Sequence, residues 1–422
     1  MHILITSPAF PPFIGGGERH VGTLAKCLIE NGHAVTVLTS AAVTESDFWQ
    51  GCGQAVEVEI AATGSTVIRS PIRPIPGGLY GLLAWRKTMI LLSALRFSTN
   101  LLFKMAERVP SLIQIEEACQ VIEDPVDIVH GFNISWEHAM MAGWQYARQN
   151  NIPFVASPLA HLGTGPRDRV AKNSTMRHQR YMLSTSDLLI TNTAKEAHGL
   201  QGKGINVVGF RVAGPGVDIP KQVAPLPEAD QSIKPYVLFI GRASYDKGAF
   251  HAVEAVLHLR AQGCEVQLVV IGGESDAFHR FHQGLTHQER QVIHTLGFVD
   301  EDVKHAYLRD AAALLLPSRT DSFGIVLLES WLYGRPVIAA DAGGIPAVVD
   351  HNQNGILIPF GDVTALADAI KLLLEDIQLN QALGRNGRKK LMENFTWEVV
   401  TKTVLDAYRM VIDRHNSNVK LA

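Results

Sequence analysis

Hydrophobic residues recur along this chain in short continuous runs, separated by longer stretches with helical spacing. The run from His2 to Ser7 predicts a buried strand, and residues 18–31 form an amphipathic helical pattern that Gly32 ends. A second run at 34–39 predicts another strand, so the chain opens with a βαβ unit. The loop between strand and helix is rich in Pro and Gly, and such a turn is where these units bind anions.

The same alternation stops near residue 217 and then starts again. Residues 218–235 hold four prolines and few large apolar side chains, which is typical of a linker. We therefore predict an α/β protein with Rossmann-like, doubly wound domains at 1–217 and 236–394 that face a central cleft. The amphipathic pattern in 395–422 predicts a last helix that packs back on the N-terminal domain.

Composition narrows the class of protein. A chain of 422 residues exceeds what one hydrophobic core usually serves, and 46% hydrophobic with 19% charged residues is ordinary for a globular protein. A net charge of −3 makes nucleic acid an improbable main partner. The four cysteines have no metal-binding spacing, no apolar run has the length of a membrane span, and Met1 leads directly into a strand pattern. We expect a cytoplasmic protein.

Two basic stretches each leave two interpretations open. From Leu79 to Val109 leucines alternate with Arg, Lys and Trp85, which fits either a helix lying on a membrane surface or a core helix with a solvated basic edge. The cluster from Arg167 to Arg180 fits either a solvated face or a contact with an anionic acceptor or lipid head groups.

The stretch 317–329 follows an apolar strand pattern and runs into a helix that is apolar on nearly every side. Glu329 shares a stripe with Ile325 and Leu332, so its carboxylate should have little water around it and needs partners. A ribose diol would supply two hydroxyl donors, and the helix N-terminus would supply N–H groups for a phosphate. The alternative is an ion pair with a buried Arg or Lys.

Other candidate residues follow strand ends. Arg242 and Lys247 flank a strand-to-helix turn, where two cations beside a helix N-terminus would form a diphosphate site. His161 falls just past the carboxyl end of a predicted parallel strand, the edge at which open α/β sheets bind ligands. The triple glycine at 15–17 is either part of such a site or a flexible turn.

One pattern points to a metal only superficially. Asp300-Glu301-Asp302 has the spacing by which many sugar transferases hold a metal ion, but it precedes a predicted helix. Carboxylates at that place are better explained as N-caps near the positive end of the helix dipole. We therefore predict no catalytic metal and no cofactor.

Several motifs together resemble the family 4 glycosyltransferases, a large retaining class with the GT-B fold. The resemblance covers nearly the whole chain and rests on the order and spacing of these stretches: 16–21, 237–248, 297–299, 317–329 and 334–339. Gly16-Gly17-Glu18-Arg19-His20-Val21 is similar to the glycine loop of the family. His161 falls where the family has its active-site histidine.

The resemblance implies a role for each matching residue. Arg242 and Lys247 would bind the diphosphate, Glu329 the ribose and Val299 the base. Asp321 would face the donor sugar, in a position where the family usually has Glu, and the shorter side chain puts its reach in question. The resemblance also implies contacts with the donor from Gly16, Gly17, Ser322, Phe323, Gly324 and Ile325, an orienting or stabilising role for His161, and positions on the acceptor side for Glu18 and His20.

The implied activity is metal-independent transfer of a sugar from a UDP-, GDP- or ADP-sugar to a hydroxyl acceptor, with retention of configuration. A carbohydrate or lipid-linked acceptor in polysaccharide, lipopolysaccharide or glycolipid synthesis would suit it. Separately, the basic stretches at 79–109 and 167–180 predict peripheral contact with the cytoplasmic membrane face. The alternatives are a GT-B epimerase or phosphorylase, and a nucleotide-sugar-binding protein without catalysis.

Overall fold

The computed structural model of the chain consists of two compact units, residues 1–216 together with the C-terminal segment from Trp397, and residues 217–396. It describes residues 1–162, 170–220, 222–223, 225–226, 232–233 and 235–419. Arg167 and Arg169 of the predicted basic cluster, and much of the predicted linker, lie outside the described residues.

The first unit is built on a sheet whose described strands have the order β3-β4-β2-β1-β5-β6-β7-β8. All neighbours are parallel except β3 and β4, which are antiparallel. The strands are β1 His2–Thr6, β2 Ala34–Ser40, β3 Glu57–Ile60, β4 Thr66–Ser70, β5 Ile128–Phe132, β6 Phe154–Ser157, β7 Leu188–Thr191 and β8 Phe210–Val212.

Helices cover both faces of this sheet, because its strands are apolar on both sides. In β1, Leu4 belongs to one buried cluster, and Ile3 and Ile5 belong to another. The helices are α1 Gly16–Glu30, α2 Asp47–Gln50, α3 Gly78–Leu92, α4 Thr99–Ala106, α5 Ile115–Gln120, α6 Glu137–Gln149, α7 Arg177–Ser184 and α8 Ala194–Gly202.

The second unit has a sheet in which the described strands are all parallel, in the order β11-β10-β9-β12-β13-β14. This is the doubly wound Rossmann order, with the chain reversing direction across the sheet between β9 and β12. The strands are β9 Tyr236–Ile240, β10 Gln267–Ile271, β11 Ile293–Gly297, β12 Ala313–Leu316, β13 Val337–Ala340 and β14 Gly355–Ile358.

The two faces of this second sheet are again both buried, with Leu238 in one cluster and Val237 and Phe239 in the other. Its helices are α9 Ala249–Ala261, α10 Asp276–Gln283, α11 His287–Arg290, α12 Glu301–Asp310, α13 Ile325–Leu332, α14 Val363–Glu375 and α15 Ile377–Asn394. The prediction of an α/β protein with two parallel sheets is confirmed.

The last helix, α16 Trp397–Val419, packs on the first unit. Its apolar stripe includes Val400, Val404 and Tyr408, and it lies in the same buried cluster as Val21 and Leu24 of α1. The hydroxyl of Tyr408 lies 2.6 Å from Nδ1 of the buried His130 in β5. This helix therefore completes the core of a unit whose other residues end at Gly216, 181 positions before Trp397.

One element differs from the sequence-based prediction. The helical stretch from Leu79 is two helices, because the chain turns between α3 and α4 where the Ser93 hydroxyl accepts a hydrogen bond from Arg177 N–H (2.8 Å). Strand β8 starts at Phe210, where pairing with β7 begins. Helix α9 starts after Gly248, whose φ of +79° ends the preceding turn. Among the described residues no helix combines the length and the apolar character needed to cross a bilayer.

Candidate functional site

The topological switch point of the second unit lies between β9 and β12. The carboxyl ends of these two neighbouring strands lead into the loops 241–248 and 317–324, which carry most of the predicted donor-binding residues. Ligands of open parallel sheets bind at this edge. The chain order therefore brings Arg242, Lys247 and Asp321 to one end of the sheet.

Lys247 and Asp321 form an ion pair at this edge. The distance from Lys247 Nζ to Asp321 Oδ1 is 2.9 Å, and the two side chains are 31% and 18% exposed. The other carboxylate oxygen, Oδ2, is buried and has no hydrogen-bond partner among the described residues. Because an unpaired buried polar atom is energetically unfavourable, Oδ2 is a candidate acceptor for a ligand hydroxyl.

The two loops are braced against each other beside this pair. Arg319 donates to the Asp246 carboxylate through Nε at 2.9 Å, and its backbone N–H donates to the Asp246 carbonyl at 3.0 Å. The Arg319 guanidinium also lies 5.2 Å from the centre of the Phe360 ring. These contacts fix the loops that position Lys247 and Asp321.

Glycine is required where a third loop meets this edge. Gly344 N–H donates to the Asp321 carbonyl at 2.9 Å, and a Cβ at Gly344 would collide with the backbone of Ser322. Gly343 has a φ of +58°, which favours glycine, and any Cβ there would collide with the Asp321 carbonyl. The Gly343-Gly344 turn after β13 therefore holds the backbone of Asp321 and Ser322 in place by close approach.

The N-terminus of α13 adjoins Asp321. Gly324 is its N-cap with a φ of +84°, and the backbone N–H groups of Phe323 and Gly324 donate to no other residue in the described part of the chain. Phe323 is buried against Phe395, with ring centres 5.5 Å apart, whereas Ser322 and Ile325 are half-buried. The loop thus presents two backbone donors at the positive end of a helix, which suits an anionic ligand.

Glu329 lies on α13 as its spacing predicted, with 8% of its surface exposed. Its Oε1 accepts a hydrogen bond from Lys304 Nζ at 3.0 Å, and Lys304 also contacts Glu301 at 2.8 Å. The sequence left open whether Glu329 meets a buried cation or a ribose, and the structure shows the buried cation. A carboxylate can accept more than one hydrogen bond, so a ribose contact stays a prediction.

Arg242 and Val299 occupy different surroundings. Arg242 is exposed and forms no ion pair with any described residue, so its charge is available to an anion. Val299 is half-buried and packs on the core, but the preceding Phe298 is 87% exposed. A Cβ at Gly273 would lie 3.0 Å from the Phe298 ring, so glycine leaves room for that ring. Phe298 is therefore a candidate for stacking on the nucleotide base. The sequence analysis named its neighbour Val299 and missed Phe298.

The first unit brings the glycine loop and the His161 loop together. A Cβ on Gly17, at the start of α1, would lie 3.7 Å from Leu159 Cδ1, and Gly16 is exposed at the same helix end. His161 is exposed and follows the end of β6, as predicted. Leu159 has a φ of +50°, a conformation that a leucine adopts only when its surroundings impose it.

A buried carboxylate holds the backbone next to Leu159. Glu196, in the first turn of α8, accepts hydrogen bonds from Ala160 N–H at 2.7 Å and from Asn192 N–H at 2.9 Å. Burial raises the pKa of Glu196 to about 7, although both N–H groups act in the opposite direction. Glu196 therefore fixes the residue next to His161. Sequence reasoning missed it because it reads as an ordinary acidic residue after the N-cap Thr193.

The residues expected on the acceptor side are less open than predicted. His20 is buried and stacks on Trp397, with ring centres 5.3 Å apart, and burial lowers the pKa of His20 to about 4. Burial likewise raises the pKa of Glu18, which is half-buried at the same helix N-terminus. Contact of these two residues with an acceptor stays a prediction, and the packing of His20 on Trp397 does not favour it.

The acidic triplet at 300–302 begins α12, as expected for a helix N-terminus. Asp300 is the N-cap, but its side chain makes no capping hydrogen bond, and Glu301 instead pairs with Lys304. In the described part of the chain no three His, Cys, Asp or Glu side chains are grouped as metal ligands. Metal independence itself stays a prediction.

Family comparisons decide the class of the protein. The family described as glycosyl transferases group 1 matches residues 227–390, and a glycosyl transferase 4-like domain matches residues 15–216. The two matches correspond to the two units and include the loops described above. The chain belongs to the group 1 glycosyltransferases.

The relatives of this group 1 glycosyltransferase are named as sugar-transferring enzymes. A D-inositol 3-phosphate glycosyltransferase of Jonesia denitrificans is 28% identical over 309 residues, which is 67% of this chain and 71% of the relative. A glycogen synthase of Mycobacterium tuberculosis is 25% identical over 416 residues, covering 97% of this chain and 94% of the relative. The prediction of a hexosyltransferase-type glycosyltransferase is confirmed at this level.

Solved structures show that this glycosyltransferase has the GT-B fold. Sucrose-phosphate synthase from Thermosynechococcus elongatus has a TM-score of 0.69 and 21% identity, covering 98% of this chain and 99% of that one. The Anabaena protein HepE in complex with UDP-glucose has a TM-score of 0.67 and 19% identity, covering 97% of this chain and 100% of that one.

Proposed function

We propose that this glycosyltransferase moves a sugar from a nucleoside-diphosphate sugar to a hydroxyl acceptor with retention of configuration, without a metal ion. The proposal extends to a carbohydrate or lipid-linked acceptor in polysaccharide, lipopolysaccharide or glycolipid synthesis, and to a cytoplasmic location. Its support is the family membership together with the HepE complexes, whose ligands are UDP, glucose and UDP-glucose.

One observation carries the proposal. Asp321 has one oxygen on Lys247, and its other oxygen is buried with no partner among the residues that the structure describes; it lies directly before a helix N-terminus whose Phe323 and Gly324 N–H groups bond to none of those residues either. Hydroxyl donors of a sugar would satisfy Asp321, and phosphate oxygens would satisfy the N–H groups. A sugar diphosphate supplies both kinds of group in one molecule.

The chemistry follows from where charge develops. Breaking the bond between the anomeric carbon and the phosphate oxygen places negative charge on the β-phosphate and oxocarbenium character on the sugar. Arg242 and Lys247 would meet the first charge and the Asp321 carboxylate the second, because preorganised charges stabilise such transition states. The acceptor oxygen then bonds to the anomeric carbon, and its proton passes to the departing phosphate on the same face. No enzyme carboxylate acts as nucleophile in this scheme.

Two other functions use the same donor site. An epimerase would release a product from the nucleotide sugar without an acceptor, and a binding protein would release nothing. Asp321 stands where the family usually has Glu, and its shorter side chain changes the reach to the sugar. This motivates the alternative of a binding protein without catalysis. A phosphorylase would usually need a pyridoxal-phosphate lysine in a much longer chain.

The decisive experiment incubates the purified protein with UDP-, GDP- and ADP-sugars and follows free nucleoside diphosphate, with and without an extract that contains acceptors. We expect release from one donor that acceptor accelerates, and a product whose anomeric configuration by NMR matches that of the donor. Release without transfer would favour the epimerase, and no release with any donor would favour the binding protein.

Variants connect that activity to the site. Lys247→Met should lower the turnover by about 10²- to 10³-fold, as loss of one charge-stabilising donor typically does. Lys371→Met removes an exposed lysine on α14 whose nearest acidic partner, Glu375, lies at 3.9 Å, and serves as the control. Equal activity of the two variants would contradict the assignment of Lys247.

A further inference from the structure

Helix α3 has a polar residue on its inner side. Arg86 donates to both oxygens of Glu137 at 2.8 and 2.7 Å, and also to the carbonyls of Ser135 at 2.8 Å and Asn173 at 3.1 Å. Glu137 is fully buried. Burial raises the pKa of Glu137, but the charge of Arg86 and the hydrogen bond from His178 outweigh it and hold the pKa below its usual range. This ion pair fixes which side of α3 faces the core.

The outer side of α3 and the turn into α4 are apolar. Six large side chains are about half to fully exposed: Tyr80 (84%), Leu83 (49%), Leu91 (74%), Leu95 (58%), Phe97 (99%) and Leu101 (50%). On α3, residues spaced by three, four or eight positions share one face, so Tyr80, Leu83 and Leu91 form a stripe. We call these six side chains the α3–α4 surface. Single exposed apolar residues are ordinary, but a stripe along a helix that is followed at once by three more exposed apolar side chains is typical of an interaction site.

The charges in the stretch that carries the α3–α4 surface are almost all positive. Lys87, Arg96, Lys104 and Arg108 are exposed in residues 79–108, and Glu107 is the one acidic residue of that stretch. The whole chain has a net charge of −3, so this positive charge is local. Apolar side chains mixed with basic ones suit the boundary between acyl chains and anionic head groups.

We propose that the α3–α4 surface docks on an anionic lipid bilayer. The apolar side chains would enter the acyl boundary while the four basic side chains meet head-group phosphates and carboxylates. The bilayer fits better than a second copy of this chain, because a two-fold contact would bring together two copies of the same net-positive patch. The inference goes beyond the proposed sugar transfer and does not depend on the donor site.

The test is co-sedimentation of the full chain with sucrose-loaded vesicles, either neutral phosphatidylcholine or phosphatidylcholine mixed with phosphatidylserine. We expect binding to the anionic vesicles that weakens as salt rises from about 0.1 to about 0.5 M, because the charges are screened. Lys87→Gln with Arg96→Gln should weaken it by about fivefold for each charge removed. Equal recovery with neutral and anionic vesicles, or none with either, would overturn the proposal.

The apolar contribution has its own variant pair. Leu91→Ser with Phe97→Ser should abolish most of the binding, whereas Val208→Ser should leave it unchanged although Val208 and Leu91 are both 74% exposed. Nucleotide release from the donor in solution should be the same in all variants, which separates this result from a failure of the proposed transfer. Vesicle binding that survives Leu91→Ser with Phe97→Ser would refute the surface. A dimer that this variant disrupts, without vesicle binding, would assign the surface to a second copy.

Discussion

The ion pair between Glu329 and Lys304 allows a quantitative prediction of how variants at the donor site change the free energy of unfolding. Both side chains are about a tenth exposed, 11% and 10%, so neither charge is well solvated. Removing one partner of a buried pair typically costs about 3–5 kcal/mol of unfolding free energy, whereas replacing both by apolar residues is often neutral. We expect Lys304→Met to be strongly destabilising and the double variant Lys304→Met with Glu329→Met to recover most of the stability.

The double variant then isolates the role of Glu329 in binding. Hydrogen bonds from ribose hydroxyls to a carboxylate contribute about 1.5–3 kcal/mol. Their loss would raise the Kd for the nucleoside diphosphate by about 10- to 100-fold. If Glu329 serves only as the partner of Lys304, the double variant should bind the nucleotide like the wild type.

Two measurements complete the cycle. Urea unfolding gives the stability of the wild type, of each single variant and of the double variant, and calorimetry gives the Kd for UDP, GDP or ADP, as the donor screen directs. Lys389→Met, which breaks a pair with Glu393 between side chains that are 74% and 58% exposed, is the control and should change stability by less than about 1 kcal/mol. Wild-type affinity in a stable double variant would refute the ribose assignment, and wild-type stability of Lys304→Met would refute the energetic reasoning.

Three further changes have defined outcomes. Asp321→Asn keeps the size of the side chain but removes the charge that pairs with Lys247, so kcat should fall about 10²- to 10³-fold at unchanged stability; an unchanged kcat would exclude a role at the sugar. Glu196→Gln turns an amide donor toward one of two backbone N–H groups, so kcat should fall with little change in donor KM. Glu196→Asp should restore part of kcat. A fall in kcat together with a change in donor KM and a loss of stability would show a merely structural role. On lowering the pH from about 7 to about 5, the first unit should lose about 2 kcal/mol through His20, because its pKa is about 4 when folded and the unfolded chain takes up the proton first. Glu196 has a raised pKa, so its protonation on lowering the pH stabilises the fold and opposes the effect of His20. His20→Phe should reduce the pH dependence of the urea midpoint. An unchanged pH dependence would contradict the assignment of this effect to His20.

Much of the fold followed from the sequence because parallel strands leave a local signal. Runs such as 237–240 are apolar on both faces, and their carboxyl ends define one edge of a sheet. The position of Lys247 and Asp321 at that edge was therefore predictable, and so was the burial of Glu329 from its spacing with Leu332. Their distances and partners were not, because each depends on a loop or helix elsewhere in the chain.

Glu329 and Glu196 show why the partners escaped prediction. Lys304 lies 25 residues before Glu329 on another helix, and no periodicity relates the two. Thr193 and Glu196 have the spacing of a capping box, in which the carboxylate would bond the Thr193 N–H. The Thr193 hydroxyl does accept from Glu196 N–H, but the carboxylate bonds Asn192 and Ala160 instead. The spacing of Thr193 and Glu196 was the only sequence feature that pointed to a role for Glu196. It did not predict that the carboxylate would bond the loop before His161.

Helix α3 explains the two interpretations that the sequence left open at 79–109. A leucine-rich helix with a few basic residues normally buries the leucines and exposes the charges. Here Glu137, 51 residues further along the chain, pairs with Arg86 on the inner side of the helix. An unpaired buried carboxylate costs more free energy than an exposed leucine, so the ion pair decides which side faces the core. Leu82 and Met89 still reach the core on that side, so both faces carry apolar side chains. The orientation of the helix was thus decided by one remote ion pair, which is what leaves Leu91 in solvent.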